Sequence, residues 1–197
     1  MDEMYDYLQT LDSPKRVLDL GAWNGRWTNA VKKFWPDAHY TCIEAGQKHE
    51  DSLRECANKF YIAVLGNENK KTEVQLRSKG YSKGSNIFGA TPTFKPTKTE
   101  QREMQTLESV VGADATYNFI KQDVQGAELL VMQGSPEIFK RAKYILNEVN
   151  LYKDPKHPLI PDVKEMDQFM HDLGFIESAV IEEHGKNNQV DKLYWNK

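Results

Sequence analysis

The chain has 197 residues, 39% of them apolar and 28% charged, with a net charge of −3. That length fits one domain with a core of its own, and so weak a net charge gives no global field to recruit nucleic acid or an anionic membrane. No run approaches the ~18 apolar residues of a membrane span, and the acidic start Met1-Asp2-Glu3 lacks the apolar stretch of a secretory signal. Two cysteines, Cys42 and Cys56, cannot build a disulfide framework and fit a reducing, cytoplasmic compartment.

Met4, Tyr7, Leu8 and Leu11 recur at helical spacing and predict an opening helix over 3–11, stopped by Ser13-Pro14. Arg16 to Gly21 reads as a buried strand, Trp27 to Phe34 as a helix, and His39 to Glu44 as a second strand whose Cys42 is a buried, inert thiol. Glu50 to Lys59 is helical, Phe60 to Leu65 a third strand, and Thr72 to Leu76 a short edge strand. Residues 78–100 hold glycines, prolines, Ser, Thr and Lys and predict a long loop. Regular structure resumes with a strand at Tyr117 to Val124 and helices at 127–133 and 136–141. A strand at Lys143 to Leu151, a Pro-rich loop to 161 and a helix over 162–173 closed by Gly174 follow. The last two strands, 175–182 and 190–195, are joined by a hairpin-like loop. Alternating strands and helices predict an α/β fold with a mostly parallel, doubly wound sheet and an antiparallel hairpin at one edge. Ligands in such folds bind at the carboxyl ends of the strands.

Three segments sit at such ends. Asp19-Leu20-Gly21-Ala22-Trp23-Asn24-Gly25 follows a strand and precedes a helix. Its glycines let backbone approach a ligand, but Trp23 stands where a dinucleotide fingerprint needs its middle glycine. An amino-acid-bearing nucleoside, with no pyrophosphate to wrap, suits the turn better. Glu44 ends the next strand about 20 residues on, where a carboxylate can accept both ribose hydroxyls. Asp123 ends the Tyr117–Val124 strand, and Lys121 lies within it, where an ammonium is costly unless paired. Glu148 is the matching acid on the neighbouring strand, ~4.8 Å away. Either Lys121 pairs with Glu148, or Asp123 and Glu148 converge on one ligand. His157, in the loop after that strand, is a solvated histidine or a general base. His49 reads as surface, and Trp23 and Trp27 as a substrate wall or core. The lysines and arginines from Lys70 to Arg102 read first as solvated loop charge, and second as a dock for a phosphorylated carrier.

The order of these segments resembles the FkbM-type methyltransferases. Asp19-x-Gly21-Ala22-x-x-Gly25-x-x-Thr28, Ile43-Glu44, Thr106-Leu107-Glu108-Ser109 and Asn147-Glu148-Val149 carry the likeness. So do Leu173-Gly174-Phe175 and Val190-Asp191-Lys192-Leu193-Tyr194, and above all Ile120-Lys121-x-Asp123-Val124-x-Gly126-Ala127-Glu128. The chain departs from the family at Trp23, usually Asn, at Ala45, usually Pro, and at Gln125, often an acid. The resemblance implies a Rossmann-like seven-stranded methyltransferase sheet and S-adenosyl-L-methionine as cofactor. It places cofactor contacts at Asp19 and the turn Gly21, Ala22, Trp23, Asn24 and Gly25. Others fall on Glu44 and Ala45, on Val64, and on Asp123 and Val124.

The expected activity is O-methylation of a sugar or glycan hydroxyl, an acceptor class that rests on the resemblance. Such a hydroxyl reacts faster beside a base or a metal. Asp123 is the first candidate base, Glu148 the second and His157 the third, with Lys121 in the same constellation. Asp123, Glu148 and Asn150 resemble an oxygen-ligand set for Mg or Mn. The alternatives are an RNA ribose 2′-O-methyltransferase and a catalytically silent binding module whose pocket Trp23 blocks. A nicotinamide dehydrogenase is disfavoured by the missing glycine, and a nucleic-acid partner by the charge. A chain that starts almost on its first strand fits one domain of a larger polypeptide.

Overall fold

The computed structural model describes residues 3–76, 85–88, 98–155, 157–184 and 188–196. Helix α1 (Glu3–Leu8) leads into β1 (Arg16–Leu20), α2 (Arg26–Val31) and β2 (His39–Glu44). A 3-10 turn (Gln47–His49), α3 (Glu50–Cys56), β3 (Lys59–Ile62), β4 (Val64–Leu65) and β5 (Lys70–Leu76) follow. Next come β6 (Lys98–Gln105), α4 (Leu107–Val111), β7 (Phe119–Gln122), α5 (Glu128–Gly134) and α6 (Pro136–Lys140). The chain ends with β8 (Tyr144–Asn150), α7 (Val163–Asp172), β9 (Glu177–His184) and β10 (Gln189–Trp195).

Seven strands form the main sheet in the order β3-β2-β1-β7-β8-β10-β9. The first five are parallel, and β10 pairs antiparallel with β8 on one side and β9 on the other, which makes the antiparallel edge hairpin that the sequence predicts. The order reverses beside β1, so β1 and β7 meet at the switch point where such folds open a crevice. Alternate residues of each strand face opposite layers. Val17, Phe119, Tyr144 and Leu193 pack against Met4 and Leu8 of α1 and Trp27 and Val31 of α2. Leu18, Ile120 and Ile145 pack on the other face against Val131 of α5 and Met166 and Met170 of α7. Among the described residues no helix is long and apolar enough to cross a membrane.

The motif residues explain themselves as local structure. Thr106 caps α4 by accepting from the Ser109 amide. Glu128 accepts from the amides of Val124 and Gly126 and so holds the loop after β7. Gly174, at φ 101°, ends α7, with the Phe175 amide returning to the Met170 carbonyl. Asn147 accepts from Gln122 Nε2 at 2.8 Å, which partners the amide nitrogen of Gln122, while its buried Oε1 has no hydrogen-bond partner among the described residues. Cys42 and Cys56 are free and buried, and the Cys56 hydrogen bond together with burial pushes the Cys42 thiol up, which makes it the inert thiol expected.

Two expectations need correction. The third strand is two strands: the chain breaks at Ala63, β3 stays in the main sheet, and β4 joins β6 and β5 in a separate sheet. The long loop ends earlier than residue 100, because 98–105 form β6, antiparallel to β5. That strand, Lys-Thr-Glu-Gln-Arg-Glu-Met-Gln, turns most of its side chains to solvent and lacks the apolar alternation that marks a half-buried strand. Arg77, Lys79, Lys83 and Lys95 lie outside the described residues, whereas Lys98 pairs with Glu100 at 2.7 Å on an open surface.

Gly21 lets the end of β1 lie against the end of β7. It sits at φ 73°, and a Cβ there would come within 1.8 Å of the Asp123 carbonyl oxygen. Gly21→Ala should therefore cost at least about 2 kcal/mol, from the left-handed backbone and the displaced strand end together. Urea unfolding measures this, and an unchanged midpoint would show that the two strand ends part freely.

Candidate active site

The carboxyl ends of the central strands frame a cleft of about 350 Å³. One side is the turn after β1, where Gly21, Ala22 and Trp23 line the wall. The amides of Gly21 and Ala22 both donate to the Ile43 carbonyl, at 2.9 and 3.1 Å. Glu44 completes the clamp: one carboxylate oxygen accepts from the Trp23 amide and the other from the Gly46 amide, each at 2.8 Å. Trp23 holds φ 49°, a left-handed conformation that Asn adopts readily and Trp does not. Its ring meets the edge of His49 at 5.9 Å. His49 is 8% exposed and so belongs to the wall's support rather than to the surface, contrary to expectation. Ala45, Val64, Asp123 and Val124 also line the cleft, and the segment Ser85 to Ile87 reaches its rim. Asp19, Asn24 and Gly25 do not line it. Asp19 lies underneath, and Gly25, at φ 75°, starts α2.

Asp19 is fully buried, and its carboxylate is held from two sides. Thr28 Oγ1 donates to one oxygen at 2.7 Å, and Lys121 Nζ stands 3.4 Å from the other. The same ammonium lies 3.5 Å from Asp123. Burial works against the Lys121 charge, but Asp19, Asp123, Asp191 and Glu148 outweigh it and raise its pKa. The expected Lys121–Glu148 pair is therefore replaced by Asp19–Lys121–Asp123. Register is the reason: Lys121 lies level with Asp19 on β1 and with Leu146 on β8, and Glu148 is two residues further along. Asp123 also accepts from Gln125 Nε2 at 2.6 Å, so both its oxygens are engaged.

The far side of the cleft carries Glu148, Glu182, His184 and Asp191. Glu148 lies level with Asp191, which lies level with Glu182. Burial, then the charges of Asp123, Glu128 and Asp191, push the Glu148 carboxyl up to about 9, so it holds its proton at neutral pH. Burial also raises Glu128, to about 7, and Asp191, the latter opposed by His184. His184 Nε2 is 2.8 Å from Asp191 Oδ2, and its Nδ1 is 3.9 Å from Glu182.

Among the described residues, the group with donor atoms close enough to share a metal, within 4.8 Å of one another, is Glu182, His184 and Asp191. Of the expected set Asp123, Glu148 and Asn150, the first two line the cleft, and Asn150, paired through its backbone with Gln189 and bridged to Asp162, does not. His157 does not line the cleft either; its amide closes a turn onto the Asp154 carbonyl. Sequence reasoning missed Glu182, His184 and Asp191. The signal was an acid, Asp191, beside Val190 in the closing strand, but only the hairpin register brings the three together.

Solved structures of similar fold include the plantazolicin methyltransferase BpumL in complex with SAH, at 11% identity and TM-score 0.51 over 100% of this chain and 82% of that one. Another is precorrin-6y C5,15-methyltransferase from Geobacter metallireducens GS-15, at 12% and 0.52 over 99% and 86%. A third is an O-methyltransferase family protein from Burkholderia thailandensis, at 10% and 0.54 over 98% and 55%. At these identities the likeness is one of fold, and it is the fold of methyltransferases. Residues 19–177 match the Methyltransferase FkbM domain, and the chain belongs to that family. No curated protein matches the sequence.

Two stability outcomes follow from the buried charges. Lys121→Met leaves Asp19 charged and unpaired and should cost about 3–5 kcal/mol, largely restored by adding Asp19→Asn. Chemical unfolding of the single and double variants checks this; equal losses in both would mean the ion pair does not hold the strands. The raised Glu148 pKa means that the folded protein holds this proton more tightly than the unfolded chain. The resulting stability is full below about pH 4.5 and is lost as the pH rises through about 9. Glu148→Gln should thus melt with the wild type at pH 4.5 and above it at pH 9. A variant that melts lower at both would restore Glu148 as the partner of Lys121.

Proposed function

We propose that the protein is an S-adenosylmethionine-dependent O-methyltransferase, built as one catalytic domain, whose acceptor is a sugar or glycan hydroxyl. The observation that carries the reading is the cleft itself, with a carboxylate-clamped glycine turn on one side and a wall of acids on the other. Its volume is in the range that holds small ligands. The turn offers backbone and no phosphate cradle, Val64 and Leu65 offer an apolar face, and Glu44 ends its strand at the rim. These features fit an amino-acid-bearing nucleoside. S-adenosylmethionine supplies a methyl carbon already activated on a sulfonium.

In this reading Glu44 accepts from the ribose hydroxyls while keeping the turn closed through its two amide bonds. Ala45 and Val64 flank the base, Gly21 and Ala22 admit the ligand's close approach, and Asp19, Asn24 and Gly25 act by shaping the turn. Asp123, fixed by Lys121, accepts from an acceptor hydroxyl beside the reacting one and sets its direction. Protonated Glu148 donates to another. Asp123, Glu148, Glu182 and Asp191 together suit a neutral polyol, which brings many hydroxyl donors. The carboxylates of Asp123, Glu182 and Asp191 repel the phosphates of RNA, which weakens the ribose 2′-hydroxyl alternative. Trp23 lies along the wall against His49, which counts against a blocked, silent module.

Glu44→Ala should weaken S-adenosylhomocysteine by roughly 1.5–3 kcal/mol in calorimetry, the scale of hydrogen bonds to a charged group. Unchanged affinity in a folded variant would move the pocket elsewhere. Asp123→Asn should lower turnover by about 10²-fold, the scale of a misplaced reactant. Tritiated methyl transfer to sugars, oligosaccharides and RNAs measures it, and a fully active variant would remove Asp123 from the site.

A further inference from the structure

We infer that His184, oriented by Asp191, takes the proton from the acceptor hydroxyl. The assignment rests on the O-methyl-transfer reading above. His184 ends β9 and Asp191 lies on β10, so the hairpin register holds the two side chains side by side on the cleft wall. The imidazole is 29% exposed and the carboxylate 14%, an arrangement with one solvent-facing partner and one sheltered partner.

The 2.8 Å contact between His184 Nε2 and Asp191 Oδ2 sets the tautomer. A carboxylate accepts, so the imidazole proton sits on Nε2 and the lone pair on Nδ1. Glu182 is 3.9 Å from Nδ1, beyond hydrogen-bond reach. The described charged groups facing this pair are Glu182 on β9, Asp191 on β10, Glu148 on β8, and Lys121 and Asp123 beside the end of β7.

The other cleft groups are less suited. Asp123 is occupied by Lys121 and Gln125, and Glu148 already carries a proton at neutral pH. His157 is not on the wall. In the step, the acceptor O–H bond breaks and its proton goes to Nδ1. The oxygen pair forms the new C–O bond to the methyl carbon, and the C–S pair returns to sulfur, leaving the neutral thioether. The half-buried imidazolium then releases its proton to water at the mouth of the cleft.

The test uses the full chain with S-adenosylmethionine, a panel of methyl glycosides and oligosaccharides, and the variants His184→Gln and Asp191→Asn. His184→Gln should lose at least ~10²-fold in turnover, keep its affinity for S-adenosylhomocysteine, and recover in part with added imidazole. Asp191→Asn should lose less and shift the pH profile. Long-range proton–nitrogen spectra of the wild type, which need no acceptor, should show His184 protonated at Nε2. Full turnover in His184→Gln, or a proton on Nδ1, would overturn the assignment. So would Mn²⁺ binding that His184→Gln abolishes together with an EDTA-sensitive activity, since the trio would then be a metal site. Transfer to amines or carboxylates and to no hydroxyl would instead remove the O-methyl reading, and this assignment with it.

Discussion

A fully buried carboxylate at the centre of the sheet is the constraint from which the site is built. Asp19 cannot stay charged there alone, because an unpaired ion in an apolar interior is far too costly. Lys121 answers it from the adjacent strand and Thr28 from the helix beyond the glycine turn. One carboxylate thus binds β1, β7 and α2 to one another. The same ammonium reaches Asp123, so the requirement that buries Asp19 also fixes a carboxylate at the mouth of the cleft. A hydrophobic pair in place of Asp19 and Lys121 could hold the strands equally well. It would not present an oriented acid at their ends.

The opposite wall obeys a different rule. Here acids gather with too few cations, and the protein meets the excess by keeping protons rather than by adding counter-charges. Glu148 and Asp191 are both pushed upward chiefly by burial. The cleft is therefore electrostatically asymmetric, with an ion-paired floor near the glycine turn and a proton-holding wall near the hairpin. The cofactor of the proposed reaction carries a positive charge and its proposed acceptor carries hydroxyls, and the two regions differ in the sense that reading needs.

Much of this was legible in the sequence because it is local. Apolar runs ending in Gly or an acid marked β1, β2 and β7, and the short distance from such a run to the cleft put Glu44 and Asp123 at its edge. What failed depended on register or on exposure. The partner of Lys121 is decided by which residue of β1 lies level with it, and strand spacing alone cannot tell Asp19 from Glu148. Strand β6 is polar on nearly every residue because its faces meet water, so no period announced it. His49 stands among charged residues yet is buried, because Trp23 folds over it. The Glu182–His184–Asp191 group needs two strands and a hairpin register to exist at all.

Strand β9 closes one end of the main sheet, and its outer rim is an open row of amides and carbonyls. Such an edge invites a second copy to add a strand, and exposed Ile176 and Val180 sharpen the invitation. Glu177, Glu182 and Glu183 lie along the same strand, so two such edges brought together would set acid against acid. Glu182 thus lines the cleft while belonging to the acidic row of this edge.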